Sequence, residues 1–175
     1  AMGGADTTGS NNVAIANGTL NSLTSGATNV AIGLNALGGA TTACGNIAIG
    51  EAAMSGVLNC TGSGVAEFNI GMGKNAAAAL TGGYHNIALG CDALLAATLA
   101  GNSVAIGRQA MGGVTTGTAL HNIAIGNSAM YGAAGTDGDA NIAIGLSSMD
   151  AITTGACNIA MGTNALGVAT AHSCN

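Results

Sequence analysis

The chain has 175 residues, a formal net charge of −5 with two basic residues, and one Phe, two Tyr, no Trp and no Pro. So few cations cannot neutralise a run of phosphates, which excludes nucleic acid as a partner. So few aromatics exclude an ordinary globular core, and an apolar content of 49% excludes a disordered chain. Apolar stretches such as Ala93 to Ala100 are too short to span a bilayer, so no membrane insertion is expected.

In chain order, one motif recurs. Residues 1–11 read as a partial repeat behind a cloning remnant, with no signal peptide visible. From there, anchors fall at 12, 29, 46, 69, 86, 103, 122, 141 and 158, and Asn175 keeps the phase. The steps are 17, 17, 23, 17, 17, 19, 19, 17 and 17. A base period of 17 is too short for helical-pair repeats and suits one coil of a β-solenoid. Residues 1–175 therefore form one repeat-array domain.

Each anchor opens a predicted strand: Val13-Ala14-Ile15, Val30-Ala31-Ile32, Ile47-Ala48-Ile49, Ile70-Gly71-Met72, Ile87-Ala88-Leu89, and so on to Ile159-Ala160-Met161. β-branched residues at alternate positions mark a strand with one large apolar face. Gly ends eight of the nine strands, Ala16 being the exception, and suits a sharp corner at positive φ. A second apolar column follows (Leu20, Leu37, Met54, Ala77, Leu94, Met111, Met130, Met149, Leu166), read as a second strand, and then a Thr/Gly turn. The fold class is all-β: a parallel β-solenoid or β-roll of about nine coils, each about 4.8 Å above the last, or roughly 43 Å in length.

Stacking predicts three consequences. Asn12, Asn29, Asn46, Asn69, Asn86, Asn122, Asn141 and Asn158 form a side-chain ladder, amide to amide. The Val/Ile columns form the dry interior, so Ile125→Asp should destabilise by several kcal/mol through unpaired charge burial while Asn127→Asp changes little. The Ala column from Ala14 to Ala160 is left outside as a continuous apolar stripe, which argues for association of chains.

The motif N-[VI]-A-I-G-x-x-A-[LM] with TTG before the next Asn resembles the head repeats of trimeric autotransporter adhesins. It resembles still more closely the arrays of bacteriophage and phage-derived tail-fibre proteins. The resemblance covers the chain from Thr7-Thr8-Gly9 to Asn175. It implies a left-handed β-roll homotrimer in an extracellular, cell-surface or virion fibre that binds a host receptor or glycan. The column after the corner Gly, Tyr in phage arrays, varies here from Leu34 through Glu51, Lys74, Cys91 and Arg108 to Thr163.

Candidate sites are sparse. The three insertions fall between the Thr/Gly turn and the next anchor, roughly Cys60 to Phe68, Thr118 to His121 and Thr136 to Ala140. Insertions in repeat proteins cluster on a face that frequently binds, so Phe68, Tyr84, His85, His121, Asp137 and Asp139 are taken as a ligand-binding edge. Asp137-Gly138-Asp139 supplies too few oxygens for Ca²⁺ and reads as a solvated turn. His85 and His121 stand two rungs apart, about 9.6 Å, too far for one metal within a chain. The five cysteines show no C-x-x-C pair and read as inert, half-buried thiols, with bonds between rungs or between chains as the alternative; Cys157 and Cys174 occupy one column a single rung apart. Gly71-Met72-Gly73-Lys74-Asn75-Ala76 mimics a dinucleotide fingerprint without its helix or downstream acid.

No metal, no cofactor and no catalytic constellation is expected, and the chain reads as a non-enzymatic fibre segment for adhesion or receptor binding. The alternatives are a structural shaft or self-assembling extracellular filament and, more distantly, an ice-binding solenoid. Against ice binding, the paired Thr (Thr41-Thr42, Thr153-Thr154) point to opposite faces and leave no flat Thr-x-Thr surface.

Overall fold

The computed structural model describes residues 8–60, 65–114, 120–132, 138–168, 171 and 173–175. Among these, nine three-residue strands form one parallel sheet in chain order. They are β1 (Val13–Ile15), β2 (Val30–Ile32), β3 (Ile47–Ile49), β4 (Ile70–Met72), β5 (Ile87–Leu89), β6 (Val104–Ile106), β7 (Ile123–Ile125), β8 (Ile142–Ile144) and β9 (Ile159–Met161). Like pairs with like: Val30 lies opposite Val13 and Ile47, and Ala31 opposite Ala14 and Ala48. The long steps keep this register, with Ile70 opposite Ile47, Ile123 opposite Val104 and Ile142 opposite Ile123. The strand register is therefore the same on both sides of each insertion. The fold is a parallel β-solenoid with coils of about 17 residues.

The second strand of each coil is not formed among the described residues. After the corner Gly, the chain curls through successive turns, with Ala36 N donating to Gly33 O (3.1 Å), Gly38 N to Asn35 O (3.0 Å) and Ala40 N to Leu37 O (3.2 Å). Asn35 (φ 56°) and Leu37 (φ 49°) are left-handed, as are Met54 (φ 50°), Leu94 (φ 53°) and Met111 (φ 52°) in later coils. That conformation costs a residue bearing a Cβ about 1–2 kcal/mol. Hydrogen bonding between coils offsets it: Asn35 N donates to Asn17 O (3.0 Å) and Leu37 N to Ala53 O (3.0 Å). The ladder thus continues outside β geometry. Leu37, Met54, Leu94 and Met111 end fully buried.

The interior is the reverse of the one expected. Ala31, Ala48, Ala88, Ala105, Ala124 and Ala143 are 0% exposed, as are Asn29, Asn46, Asn69, Asn122 and Asn141. The Val/Ile columns face outward, with Ile15 at 56%, Ile125 at 37% and Ile159 at 59% exposure. Strand alternation commits one set inward and the other outward, and the width of the coil decides which. Here the opposite wall, made of the curled Leu/Met column, comes too close for a branched side chain. Position 71 shows how close: a Cβ built on Gly71 would lie 2.8 Å from Met54 Cγ. Leu23, Leu58, Leu80, Val114 and Ile152 close the remaining side of the core. Ile125→Asp accordingly places its carboxylate on the outer face of the chain and not in its core. The Ala stripe is also not the contact surface, because it packs inside its own coil.

Candidate functional site

In the asparagine ladder each Oδ1 accepts from the backbone N of the next anchor, and in most rungs from its side-chain amide as well; Asn46 and Asn141 give their predecessor the backbone N alone. Asn69 Oδ1 accepts from the backbone N of Asn86 (3.0 Å) and from Asn86 Nδ2 (3.0 Å). Asn69 Nδ2 in turn donates to Asn46 Oδ1 (3.1 Å) and to Gly83 O (2.7 Å). The second bond ties the strand to the turn on the far side of the coil. Asn29 Nδ2 repeats it on Ala43 O (2.6 Å), Asn86 Nδ2 on Ala100 O (2.7 Å) and Asn141 Nδ2 on Gly155 O (2.8 Å). Where Ser103 replaces Asn, its hydroxyl accepts from Asn122 N (3.2 Å) and donates to Gly101 O (3.1 Å). The buried ladder side chains among the described residues thereby keep hydrogen-bond partners, as buried polar groups must.

The residue before each anchor is left-handed and, apart from the half-buried Gly45, exposed, and these positions form a second column along one edge. Phe68 (φ 55°) and His85 (φ 55°) lie in successive coils, with ring centroids 5.7 Å apart and planes 15° from parallel. Tyr84 meets His85 edge-on at 5.5 Å and 88°. Below Phe68 the column holds Gly45, where a Cβ would come within 2.7 Å of Phe68 Cδ1 and Cε1. Phe68 thus lies between Gly45 and His85. Gly101 plays the same part beside Tyr84: a Cβ there would meet Leu120 Cδ2 at 2.9 Å and Tyr84 Cζ at 3.3 Å. Glycine is needed at both places to admit a large neighbour.

Of the six residues assigned to the edge, the structure brings three together: Phe68, Tyr84 and His85. His121 is exposed one coil above Asn102, which separates it from His85, and its N donates to Gly101 O (3.1 Å). Asp139 is half-buried, and its Oδ1 accepts from Leu120 N (2.8 Å), which ties Leu120, in the second insertion, to the coil above. Asp137 lies outside the described residues. No group of three His, Cys, Asp or Glu among the described residues could hold a metal ion.

The variable column after the corner Gly carries the exposed charges. Lys74 Nζ pairs with Glu51 Oε1 at 3.2 Å across one coil, both about half exposed. In this open setting such a pair contributes at most about 1 kcal/mol. Next in the column is Cys91, whose thiol pKa is pushed up by desolvation first and then by its hydrogen bond to Asp92 and that carboxylate's charge, against the opposite pull of Arg108 and Lys74. Gly73 is a corner (φ 132°) followed by turns, so the dinucleotide-like stretch lacks the helix it would need.

The cysteines depart from the expected inert thiols. Cys44 and Cys60 form a disulfide with a Cα separation of 5.7 Å, and Cys91, Cys157 and Cys174 are free and exposed. Spacing held a signal for the bond: the two positions are 16 residues apart, about one coil, so stacking brings them together. The bond holds the base of the longest insertion, where Ala66 N also donates to Asn59 O (2.6 Å).

No protein-family profile, curated protein or solved structure matches the chain. No helix among the described residues is long and apolar enough to cross a membrane.

Proposed function

We propose that this chain is a non-enzymatic segment of an extracellular, cell-surface or virion fibre. In this reading three copies associate through their Val/Ile faces, and the Phe68–Tyr84–His85 edge contacts a host receptor or glycan. One observation carries it: the outer face of the sheet bears two Val/Ile/Leu/Met columns with no charge at any of the nine rungs. Eight steps of about 4.8 Å by three residues of about 3.3 Å give a strip of roughly 400 Å². A strip of that size is on the scale of the largest apolar patch of a typical monomer, about 300–600 Å², and such patches are often functional. A second copy carries a comb of the same pitch, so its side chains nest between these, and closed cyclic symmetry uses the strip once per chain. The number three, and the placement in a fibre, come from the resemblance of the repeats.

The structural-shaft reading has its own observation in favour. Phe68 packs over Gly45 on one side and His85 on the other, so its ring faces are engaged within the chain. A printed array of bacterial surface polysaccharides and mammalian glycans, probed with labelled protein, separates the two. Binding that falls at least about tenfold in the Phe68→Ala/Tyr84→Ala double variant, the loss typical of truncating interface anchors, supports the receptor reading. Absence of binding by the parent chain, or equal binding by the variant, supports the shaft.

A further inference from the structure

We propose that Cys157 and Cys174 form a two-thiolate site for a soft cation that takes two ligands in line, the class of monovalent copper and silver. The two cysteines hold the same position in successive coils. Cys157 N donates to Asp139 O (3.0 Å) and Cys174 N to Ala156 O (2.9 Å). Each precedes a ladder asparagine, and Asn175 Nδ2 donates to Asn158 Oδ1 (2.9 Å), which fixes the spacing beside them. Their φ angles are 59° and 61°, so the two Cα–Cβ bonds run parallel. Both thiols are free and exposed.

Distance selects the chemistry. Parallel side chains one coil apart are separated by about 4.8 Å. A disulfide needs sulfurs about 2.05 Å apart and Cβ atoms usually about 3.5–4.5 Å apart, which equivalent positions do not offer. The bond that does form, Cys44 to Cys60, joins positions 16 residues apart, one short of the repeat, with a Cα separation of 5.7 Å. A metal–thiolate bond of about 2.3 Å places two sulfurs on opposite sides of one ion about 4.6 Å apart. That matches the coil spacing. A tetrahedral ion would require the sulfurs about 3.8 Å apart and further protein ligands. No third His, Cys, Asp or Glu among the described residues joins the pair. Thiolate pairs of this kind select soft ions over hard ones. In the binding step two S–H bonds break, two metal–sulfur bonds form and two protons pass to solvent, leaving the bound unit with one negative charge.

Silver nitrate in chloride-free buffer is the probe, titrated into the full chain with its Cys44–Cys60 bond intact and followed by calorimetry and native mass spectrometry. One tightly held silver per chain is expected, with two protons released. Cys157→Ser and Cys174→Ser should each weaken it about 100-fold, the loss expected when one arm of a chelate is removed. Cys91→Ser should leave it unchanged. The site is overturned if silver binds to independent thiols of equal affinity, each serine variant removing one, or if Cys91→Ser weakens the tight site as much. A Cys157–Cys174 disulfide in the untreated protein would overturn it as well.

Discussion

Asn69→Leu is expected to unfold most of the protein under conditions where the parent chain is native. Leucine matches asparagine in size but offers no hydrogen bond. It would strand the Gly83 carbonyl, the Asn86 backbone N–H and one Asn86 amide proton in a fully buried column. Each buried group left without a partner costs about 1–3 kcal/mol. The sum, about 3–9 kcal/mol, is a large part of the roughly 5–15 kcal/mol that holds a domain together. The chain supplies its own control in Ser103, whose hydroxyl serves both neighbours. Asn69→Ser should therefore lose only about 1–2 kcal/mol, the scale of one hydrogen bond weakened. Denaturant midpoints of the two variants measure the difference. Equal midpoints would mean the ladder contributes little to the fold.

Gly73→Ala should be comparably damaging for a different reason. Gly73 has φ 132°, and a Cβ there would sit 2.5 Å from Gly90 O and 2.6 Å from Gly90 C. The obstacle is backbone, and Gly73 N is already held by Ile49 O at 2.8 Å, so neither side can move freely. Strain at such a φ costs about 1–3 kcal/mol before the clash is counted. Gly162 separates the two contributions, since it has φ 119° but no atom within 4 Å of the position its Cβ would take. Gly162→Ala should lose the strain alone, about 1–3 kcal/mol, and Gly73→Ala clearly more. Ala16, the one alanine in this column, has φ 104° against 119–138° for the corner glycines, so a Cβ here goes with a shifted corner. Thermal melts of the two variants test the argument, and it fails if they coincide.

Much of this architecture was legible because repetition converts sequence phase into spatial position. The anchors gave the strands, their register and the asparagine ladder, and the position of the insertions put Phe68 and His85 on one edge. The direction of the strand was not legible. Ile47-Ala48-Ile49 alternates equally well with either face inward, and the usual preference for burying the large face pointed the wrong way. The outcome depended on the opposite wall, and that wall depended on Leu37 and Met54 adopting a left-handed conformation that local preference disfavours. Hydrogen bonds to the neighbouring coil override that preference, and no single repeat reveals them. The binding edge shows the same limit. The position of the insertions put Phe68, Tyr84 and His85 on that edge, but only the structure shows Gly45 and Gly101 making room for them.

The outward Val/Ile face makes the mass of the particle in solution the most direct test. Light scattering on the parent chain should give about three times the 16.4 kDa of one chain. Ile125→Asp combined with Ile106→Asp puts charge on the outer face of β6 and β7 without entering the coil interior. That variant should keep its fold by far-UV circular dichroism and scatter as a single 16.4 kDa chain. A parent chain that is itself a stable 16.4 kDa particle, or a variant that assembles as the parent does, would contradict the account.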